Sequence, residues 1–204
     1  MPLTDIASLR AALATRAGAA ASGTDPNATA FAAVATIVRP VRTLRGDDAE
    51  VLLIRRAELD GDPWSGHMAF PGGRKNAQDP DLLATAVRET REEIGLHLDS
   101  AAELLGPLAP LPALARGKPL GMTVAPFVFV LREPAELLLN HEVAEVLWAP
   151  LGPMLDGSLA THQEYVWQGQ KLTLPAYAIE GRVVWGLTYQ MLQTLFSLVT
   201  ARPR

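Results

Sequence analysis

The side chains best suited to chemistry in this chain are three glutamates that stand close together. Glu92 and Glu93 follow Glu89 by three and four residues, so on a helix they fall within an arc of roughly 100°. Carboxylates crowded on one face repel each other, whereas hard divalent cations such as Mg²⁺ and Mn²⁺ prefer clustered oxygen ligands. The spacing therefore predicts a face that binds such a cation and acts on a phosphate-containing substrate. A glutamate-rich face that is only solvated is the alternative that the spacing leaves open.

A helix must present these carboxylates, and the sequence marks its two ends. Asp79 is a residue type that caps helices, Pro80 suits a first helical position, and Gly95 suits a helix end. The sequence therefore predicts a helix from about Pro80 to Ile94, preceded by a sharp turn at residues 71–73. Its apolar stripe is expected to face the core and contains Leu82, Leu83, Ala86, Val87, Thr90 and Ile94.

The rest of the chain mixes strand patterns with a few helix patterns, which favours an α/β or an α+β domain. Residues 33–38 and 51–55 are apolar, partly β-branched runs on either side of a polar turn at residues 45–50, and are predicted to pair. Residues 107–121 are rich in Pro and Gly and are predicted to form a long loop. Further strands are predicted at residues 122–131, 146–148, 165–167, 172–178 and 183–184, with a short helix near Pro153 and a closing helix at residues 186–200.

Residues 1–29 are predicted to form an N-terminal helix and linker, followed by the main domain at residues 30–204. Residues 18–29 are small, polar and turn-prone, which is typical of a linker. The Arg and Ala content of the first residues allows a transit peptide, but Asp5 and the helical periodicity favour a helix of the mature protein. The apolar face of that helix contains Ile6, Leu9, Ala12 and Leu13.

The composition limits the classes of protein to which the chain can belong. Of its 204 residues, 49% are hydrophobic and 20% are charged, and the formal net charge is −4. A packed core is therefore expected, and nucleic acid is a poor partner. The chain has no cysteine, which excludes disulfides and thiol nucleophiles and favours a reducing compartment such as the cytoplasm. No apolar run reaches the roughly 20 residues that span a membrane.

The segment with the glutamates resembles the Nudix box, G-x5-E-x7-R-E-U-x-E-E-x-G-U, in which U is apolar. Residues 88–96, Arg-Glu-Thr-Arg-Glu-Glu-Ile-Gly-Leu, match its second half, with Thr90 at the first apolar position. The first half departs from the pattern. Asp79 stands where the box has Glu, and the stretch between Gly73 and Arg88 is one residue longer than the box allows. On these residues the chain is identified as a member of the Nudix hydrolase family.

The resemblance implies a metal-dependent pyrophosphohydrolase with an α/β/α sandwich around a mixed β-sheet. It implies that Mg²⁺ or Mn²⁺ is held by Glu89 and Glu93, with Glu92 as a further ligand and catalytic residue. The Gly72 carbonyl is expected as a backbone ligand. Arg88 is expected to assist catalysis by orienting a carboxylate through a bidentate hydrogen bond. Family members are often dimers, so a homodimer is one assembly that the resemblance allows.

A glutamate outside the box often assists in this family as a base or a metal ligand. Glu142 lies six residues before Trp148, which begins a segment that looks like the usual strand after such a loop. Glu142 is therefore predicted to be catalytic, with Glu145 as the second choice. A polar loop face is the alternative for both.

Residues 52–73 carry a narrower resemblance, to the coenzyme A pyrophosphatase branch of the family. The branch pattern is L-L-T-x-R-[SA]-x3-R-x3-G-x3-F-P-G-G. This chain has Ile54 in place of Thr, lacks the second Arg, and has one extra residue before Gly66. Residues 185–188, Trp-Gly-Leu-Thr, also resemble that branch. The residues that agree with the pattern are Leu52, Leu53, Arg56, Ala57, Gly66, Phe70, Pro71, Gly72 and Gly73.

The branch resemblance implies that coenzyme A or its derivatives are cleaved to 3′,5′-ADP and 4′-phosphopantetheine. Because the second Arg is missing, ADP-ribose, dinucleotide cofactors and (deoxy)nucleoside triphosphates stay open as alternative substrates. An alternative of another class is a non-catalytic Nudix module that binds a nucleotide. Such modules tend to lose the box carboxylates, which this chain keeps.

Four further residues are predicted to contact the substrate. Arg56 is expected to meet a phosphate, and Arg116 to bind anionic groups from its loop. Trp64 is expected to stack on an adenine, and His67 to line the pocket. Simple packing, solvation or a structural hydrogen bond is the alternative at each position. The other tryptophans are predicted to lie in the core: Trp148, Trp167 and Trp185.

Overall fold

The computed structural model describes residues 4–14, 28–61, 64–115, 118–167 and 169–201. The helices found there are α1 (Ile6–Ala14), α2 (Leu82–Ile94), α3 (Leu98–Ala101), α4 (Leu151–Leu155) and α5 (Gly186–Thr200). The strands found there are β1 (Ala30–Thr43), β2 (Gly46–Arg56), β3 (Met68–Ala69), β4 (Gly72–Arg74), β5 (Ala102–Pro107), β6 (Leu111–Ala115), β7 (Lys118–Leu131), β8 (Val143–Pro150), β9 (Ala160–Trp167), β10 (Gln170–Ile179) and β11 (Arg182–Trp185).

Two sheets organise these strands. The larger one has the order β3-β2-β1-β7-β5, with β4 paired to β1, β6 to β7 and β8 to β2. It is mixed, because β1 and β7 run parallel while the other pairs are antiparallel. The smaller sheet is antiparallel, with the order β11-β10-β9.

The larger sheet is covered on both faces because its central strands are apolar on both sides. On one face Ile37 and Leu52 pack in a cluster with Ile94 of α2. On the other face Val38 packs in a cluster with α1 and α5, to which α5 contributes Leu192. Strands buried on both faces read as continuous apolar runs. This arrangement confirms the predicted α/β/α sandwich.

The α2 helix begins two residues later than predicted. Asp81, not Asp79, is the N-cap, because its side chain accepts a hydrogen bond from the Ala84 N–H at 2.8 Å. The prediction of Asp79 as the cap was therefore wrong, and its carboxylate is bound elsewhere. The predicted end is confirmed: Gly95 adopts a left-handed φ of 69° and its N–H donates to the Arg91 carbonyl.

Two predicted loops contain strands instead. Residues 107–121 were expected to be irregular, but β6 pairs with β7 inside this range. The Pro and Gly content suggested a loop, although such residues also occur in strands at the edge of a sheet. The predicted turn at residues 45–50 is shorter, because residues 46–50 already pair with β1. The predicted later strands and the closing helix at residues 186–200 are confirmed.

The N-terminal helix packs on the main body. Leu9 and Leu13 are buried in the cluster beside α5, which confirms the predicted amphipathic helix. Thr4 anchors the chain just before it by donating a hydrogen bond to Asp48 at 2.6 Å. Among the described residues, no helix combines the length and hydropathy needed to cross a membrane.

Candidate active site

Glu93 lies at the buried end of the acidic face of α2. It is 2% exposed, and its Oε2 accepts a hydrogen bond from the Gly72 N–H at 2.8 Å. Burial, together with the nearby Glu89 and Glu142, raises the pKa of Glu93 to about 8, while Gly72 and Arg56 oppose the shift. A carboxyl group whose pKa is raised this far by burial is typical of a functional site.

Glu89, one helical turn earlier, packs directly on the glycine turn. A Cβ at Gly73 would lie 2.5 Å from its carboxyl carbon, so a larger residue there would displace Glu89. Gly72 has a φ of 148°, and a Cβ on it would collide with the Ala33 carbonyl. Both glycines are therefore needed to bring the turn against the helix. Burial also raises the pKa of Glu89, against the opposing effect of Arg88.

Arg88 organises the other flank of α2. Its Nε and Nη2 donate to the two carboxylate oxygens of Asp79 at 2.8 and 2.9 Å. Its Nη1 lies 2.8 Å from Glu89 and 3.0 Å from Glu92. The Arg88 guanidinium holds the pKa of Asp79 well below its usual range. Asp79, which stands where the Nudix box has Glu, is thus the bidentate partner of Arg88.

One cavity of about 520 Å³ connects the acidic residues with an aromatic and apolar wall. Its size and mixed lining are typical of a small-molecule site. Glu142 reaches it from the loop before β8, where its N–H donates to the Asn140 side chain at 2.8 Å. The residues that line it include Arg56, Trp64, His67, Gly72, Gly73, Glu89, Glu93, Met122, Val124, Glu142, Trp185, Leu187 and Met191.

The structure brings most of the predicted site residues to this cavity. Glu92 and Arg88 are exceptions, since they line a second cavity on the outer flank of α2. The predicted common face of three glutamates is therefore divided, with Glu92 on the exposed side. Glu145 is held by Arg55 and Arg182 and does not line the first cavity. Arg116 lies outside the described residues.

A divalent cation was expected at the acidic face. No group of three or more His, Asp or Glu side chains within the described ranges is arranged to hold a metal ion, so the ligand set stays a prediction. The donor chemistry fits a hard cation, because the buried Glu93 and the largely buried Glu89 bring carboxylate oxygens to one cavity. The glycine turn also keeps side-chain atoms away from Glu89.

Trp185 is the cavity residue that sequence reasoning missed. It was predicted to lie in the core, but it is only partly buried and lines the cavity at the end of β11. Its ring centroid lies 4.8 Å from that of His67 and 5.4 Å from that of Tyr165. The Trp-Gly-Leu-Thr motif at residues 185–188 was the available signal, because the branch resemblance already singled it out.

A mixed sheet that presents an acidic helix behind a Gly-Gly turn, beside a cavity, is the arrangement expected of a metal-assisted phosphoanhydride hydrolase. The family model described as the NUDIX domain matches residues 35–169. The chain therefore belongs to the Nudix family and is a Nudix pyrophosphohydrolase. Nudix hydrolases generally need divalent metal ions.

Named relatives support this assignment over most of the chain. The mitochondrial coenzyme A diphosphatase NUDT8 of Homo sapiens is 32% identical over 179 residues, which cover 84% of this chain and 73% of the relative. The Nudix hydrolase NudL of Yersinia pestis (strain Pestoides F) is 32% identical over 181 residues, covering 85% and 81%. Among solved structures, the Nudix hydrolase RenU from M. smegmatis shares the fold with a TM-score of 0.53 at 18% identity, covering 85% of this chain and 89% of that one.

Proposed function

We propose that this enzyme hydrolyses the diphosphate of coenzyme A to 3′,5′-ADP and 4′-phosphopantetheine. The observation that carries the proposal is the composition of the cavity, which joins buried carboxylates to an aromatic group and an apolar wall. Coenzyme A has three parts that match them: a diphosphate, an adenine and a long pantetheine arm. The 32% identity to a relative named as a coenzyme A diphosphatase supports this choice.

Glu89 and Glu93, with the Gly72 carbonyl, are the groups that would hold a Mg²⁺ or Mn²⁺ ion. When bound, the ion supplies positive charge to the diphosphate oxygens and increases the acidity of water. Arg56 lines the same cavity and adds a fixed cation for the diphosphate. Arg88 stays outside the cavity and acts by holding Glu89 in place. We give Glu92 the same supporting position, as a partner of Arg88.

The chain's own acid–base chemistry centres on Glu142. Its carboxylate, at the rim of the cavity, accepts a proton from the water whose oxygen attacks one phosphorus. The bond from that phosphorus to the bridging oxygen breaks, and the leaving phosphate keeps the electron pair. No side-chain nucleophile is required, which agrees with a chain that has no cysteine. Since the rest of the catalysis comes from positioning and charge neutralisation, a rigid helix is a suitable support for the other carboxylates.

The experiment is hydrolysis of a substrate panel by the full chain with Mg²⁺ and with Mn²⁺, with products identified by mass spectrometry. The panel contains coenzyme A, acetyl-coenzyme A, ADP-ribose, NADH, dinucleoside polyphosphates and deoxynucleoside triphosphates. We expect preferred release of 3′,5′-ADP from coenzyme A. Faster cleavage of ADP-ribose or of a triphosphate would overturn the substrate assignment. Nucleotide binding without any turnover would point to a non-catalytic nucleotide-binding module.

The subcellular location of the enzyme is also a proposal. A chain without cysteine suits the reducing cytoplasm, whereas the human relative is named mitochondrial. Subcellular fractionation of the source cells with an antibody against the chain distinguishes the two locations.

A further inference from the structure

One wall of the cavity is built by a part of the chain that follows the matched NUDIX region. That match ends at residue 169, whereas Trp185, Leu187, Thr188 and Met191 come from β11 and α5. The matched region supplies all three glutamates that line the cavity. The chemistry and this wall therefore come from different parts of the chain, and the wall is placed to distinguish substrates.

Trp185 presents the largest ring of this wall. Its indole is tilted by 50° against the His67 ring and by 46° against the Tyr165 ring. Trp64 lines the same cavity as a second indole. Aromatic rings of this kind bind planar bases by stacking, and they lose little side-chain entropy because they have only two rotatable bonds. An aromatic group beside a carboxylate cluster suits a nucleotide, with its base on the rings and its diphosphate at the acids.

An ion-pair network fixes the strand that carries Trp185. Glu145 Oε2 accepts hydrogen bonds from Arg182 Nε at 2.9 Å and Nη2 at 2.8 Å, and from Arg55 Nε at 3.2 Å. Arg182 begins β11 and stands three residues before Trp185, while Arg55 and Glu145 belong to the larger sheet. On the other side of Trp185, Thr188 donates a hydrogen bond to the Met68 carbonyl at 2.9 Å. The indole is therefore anchored through the chain before it and after it.

We propose that Trp185 is a specificity-determining residue whose indole stacks on the base of the substrate nucleotide. Glu145 is the positioning residue that holds it there through Arg182. This inference rests on the proposed function only in that the substrate contains an adenine nucleotide. It does not require coenzyme A, because ADP-ribose and dinucleotide cofactors carry the same base.

The test is the binding of ADP and of inorganic pyrophosphate, each with Mg²⁺, to the full chain by isothermal titration calorimetry. Trp185→Leu is expected to weaken ADP binding about tenfold or more, since base–aromatic stacking has that magnitude. Trp185→Phe keeps an aromatic ring and is expected to retain most of the affinity. Pyrophosphate has no base, so its affinity is expected to be the same in all three proteins.

Unchanged ADP affinity in Trp185→Leu would overturn the proposal. An equal loss for ADP and pyrophosphate would overturn it as well, because it would mean a general distortion of the site. The result is separable from the substrate assignment. If the enzyme prefers ADP-ribose in the substrate panel while Trp185→Leu still weakens ADP binding, only the coenzyme A assignment fails. If coenzyme A is preferred while ADP binding is unchanged, only the role of Trp185 fails.

Glu145 is tested by a double-mutant cycle in steady-state kinetics. Glu145→Gln is expected to raise KM several-fold and leave kcat nearly unchanged, because the acids of the cavity are untouched. In the Trp185→Leu background the same change is expected to have no further effect on KM, since the residue that Glu145 positions is gone. Glu103→Gln is the matched control, because it breaks the ion pair with Arg10 on an element that does not line this cavity. A KM effect of equal size in both backgrounds would overturn the positioning role.

Discussion

Glu92 and Glu93 are neighbours in the chain, yet the fold gives them opposite surroundings. The Glu92 side chain is 55% exposed and lies 3.0 Å from the Arg88 guanidinium on the outer flank of α2. Glu93 is 2% exposed, accepts a hydrogen bond from a backbone N–H, and has a pKa raised to about 8. The outer flank pairs its carboxylates with a cation of the chain itself. On the cavity flank, Glu89 shares the Arg88 guanidinium at 2.8 Å, whereas the hydrogen bond that Glu93 accepts comes from the uncharged Gly72 N–H.

We propose that this difference separates the groups that support the structure from those that perform chemistry. Burying a carboxylate without a paired cation costs folding free energy, and such a cost persists where function requires it. Asp79 and Arg88 show the opposite pattern, with a bidentate ion pair that stabilises the charged forms of both. The cavity flank is therefore expected to control activity, and the outer flank to control stability.

The largest expected effect is on catalysis, from the cavity flank. Glu93→Gln and Glu89→Gln are each expected to lower kcat about 1000-fold, because each replaces a group that can bind a divalent cation as a carboxylate with a neutral amide. The amide oxygen that Glu93→Gln introduces can still accept the hydrogen bond from Gly72, so the fold is expected to survive. Steady-state kinetics at saturating Mg²⁺ and thermal unfolding check both statements. Full activity in both variants would mean that the site is assigned to the wrong residues.

Glu142 belongs to the same cavity but reaches it from a different element. Glu142→Gln is expected to lower kcat about 100-fold, as loss of a general base does. Glu136→Gln is the matched control, since Glu136 is exposed in the same loop and does not line the cavity. Equal activities of the two variants would remove Glu142 from the mechanism.

The sequence predicted the helix, its Gly95 end and the Gly-Gly turn, because these depend on local backbone rules. It could not separate Glu92 from Glu93, because the distinction depends on where Asp79 and Gly72 lie once the chain is folded. Asp79 was mistaken for a cap for the same reason, since its partner Arg88 stands nine residues away. The place of Trp185 follows from the pairing of β10 with β11, and the motif at residues 185–188 singled this residue out without showing where the folded chain would place it.

The outer flank is expected to govern stability. Asp79→Asn is expected to lower the free energy of unfolding by about 2 kcal/mol at neutral pH, because it leaves the Arg88 guanidinium without its charged partner. The pKa of Asp79 is depressed in the folded state, so the stability that it contributes is present above its unfolded value and is lost as the pH falls. The difference between wild type and variant is therefore expected to shrink below about pH 4. Urea unfolding at pH 7 and at acidic pH measures it. A difference that does not vary with pH would contradict the ion-pair account.

The smallest expected effect is that of Glu92→Gln. This variant is also the sharpest test of the difference between the outer flank and the cavity flank of α2. An exposed ion pair one helical turn apart contributes about 0.5 kcal/mol, so the unfolding free energy is expected to change little. Since Glu92 does not line the cavity, kcat is expected to stay within a few-fold of wild type. A loss as large as that of Glu93→Gln would mean that Glu92 turns into the cavity when substrate and metal bind. The three glutamates would then act on one face, as their spacing in the sequence predicts.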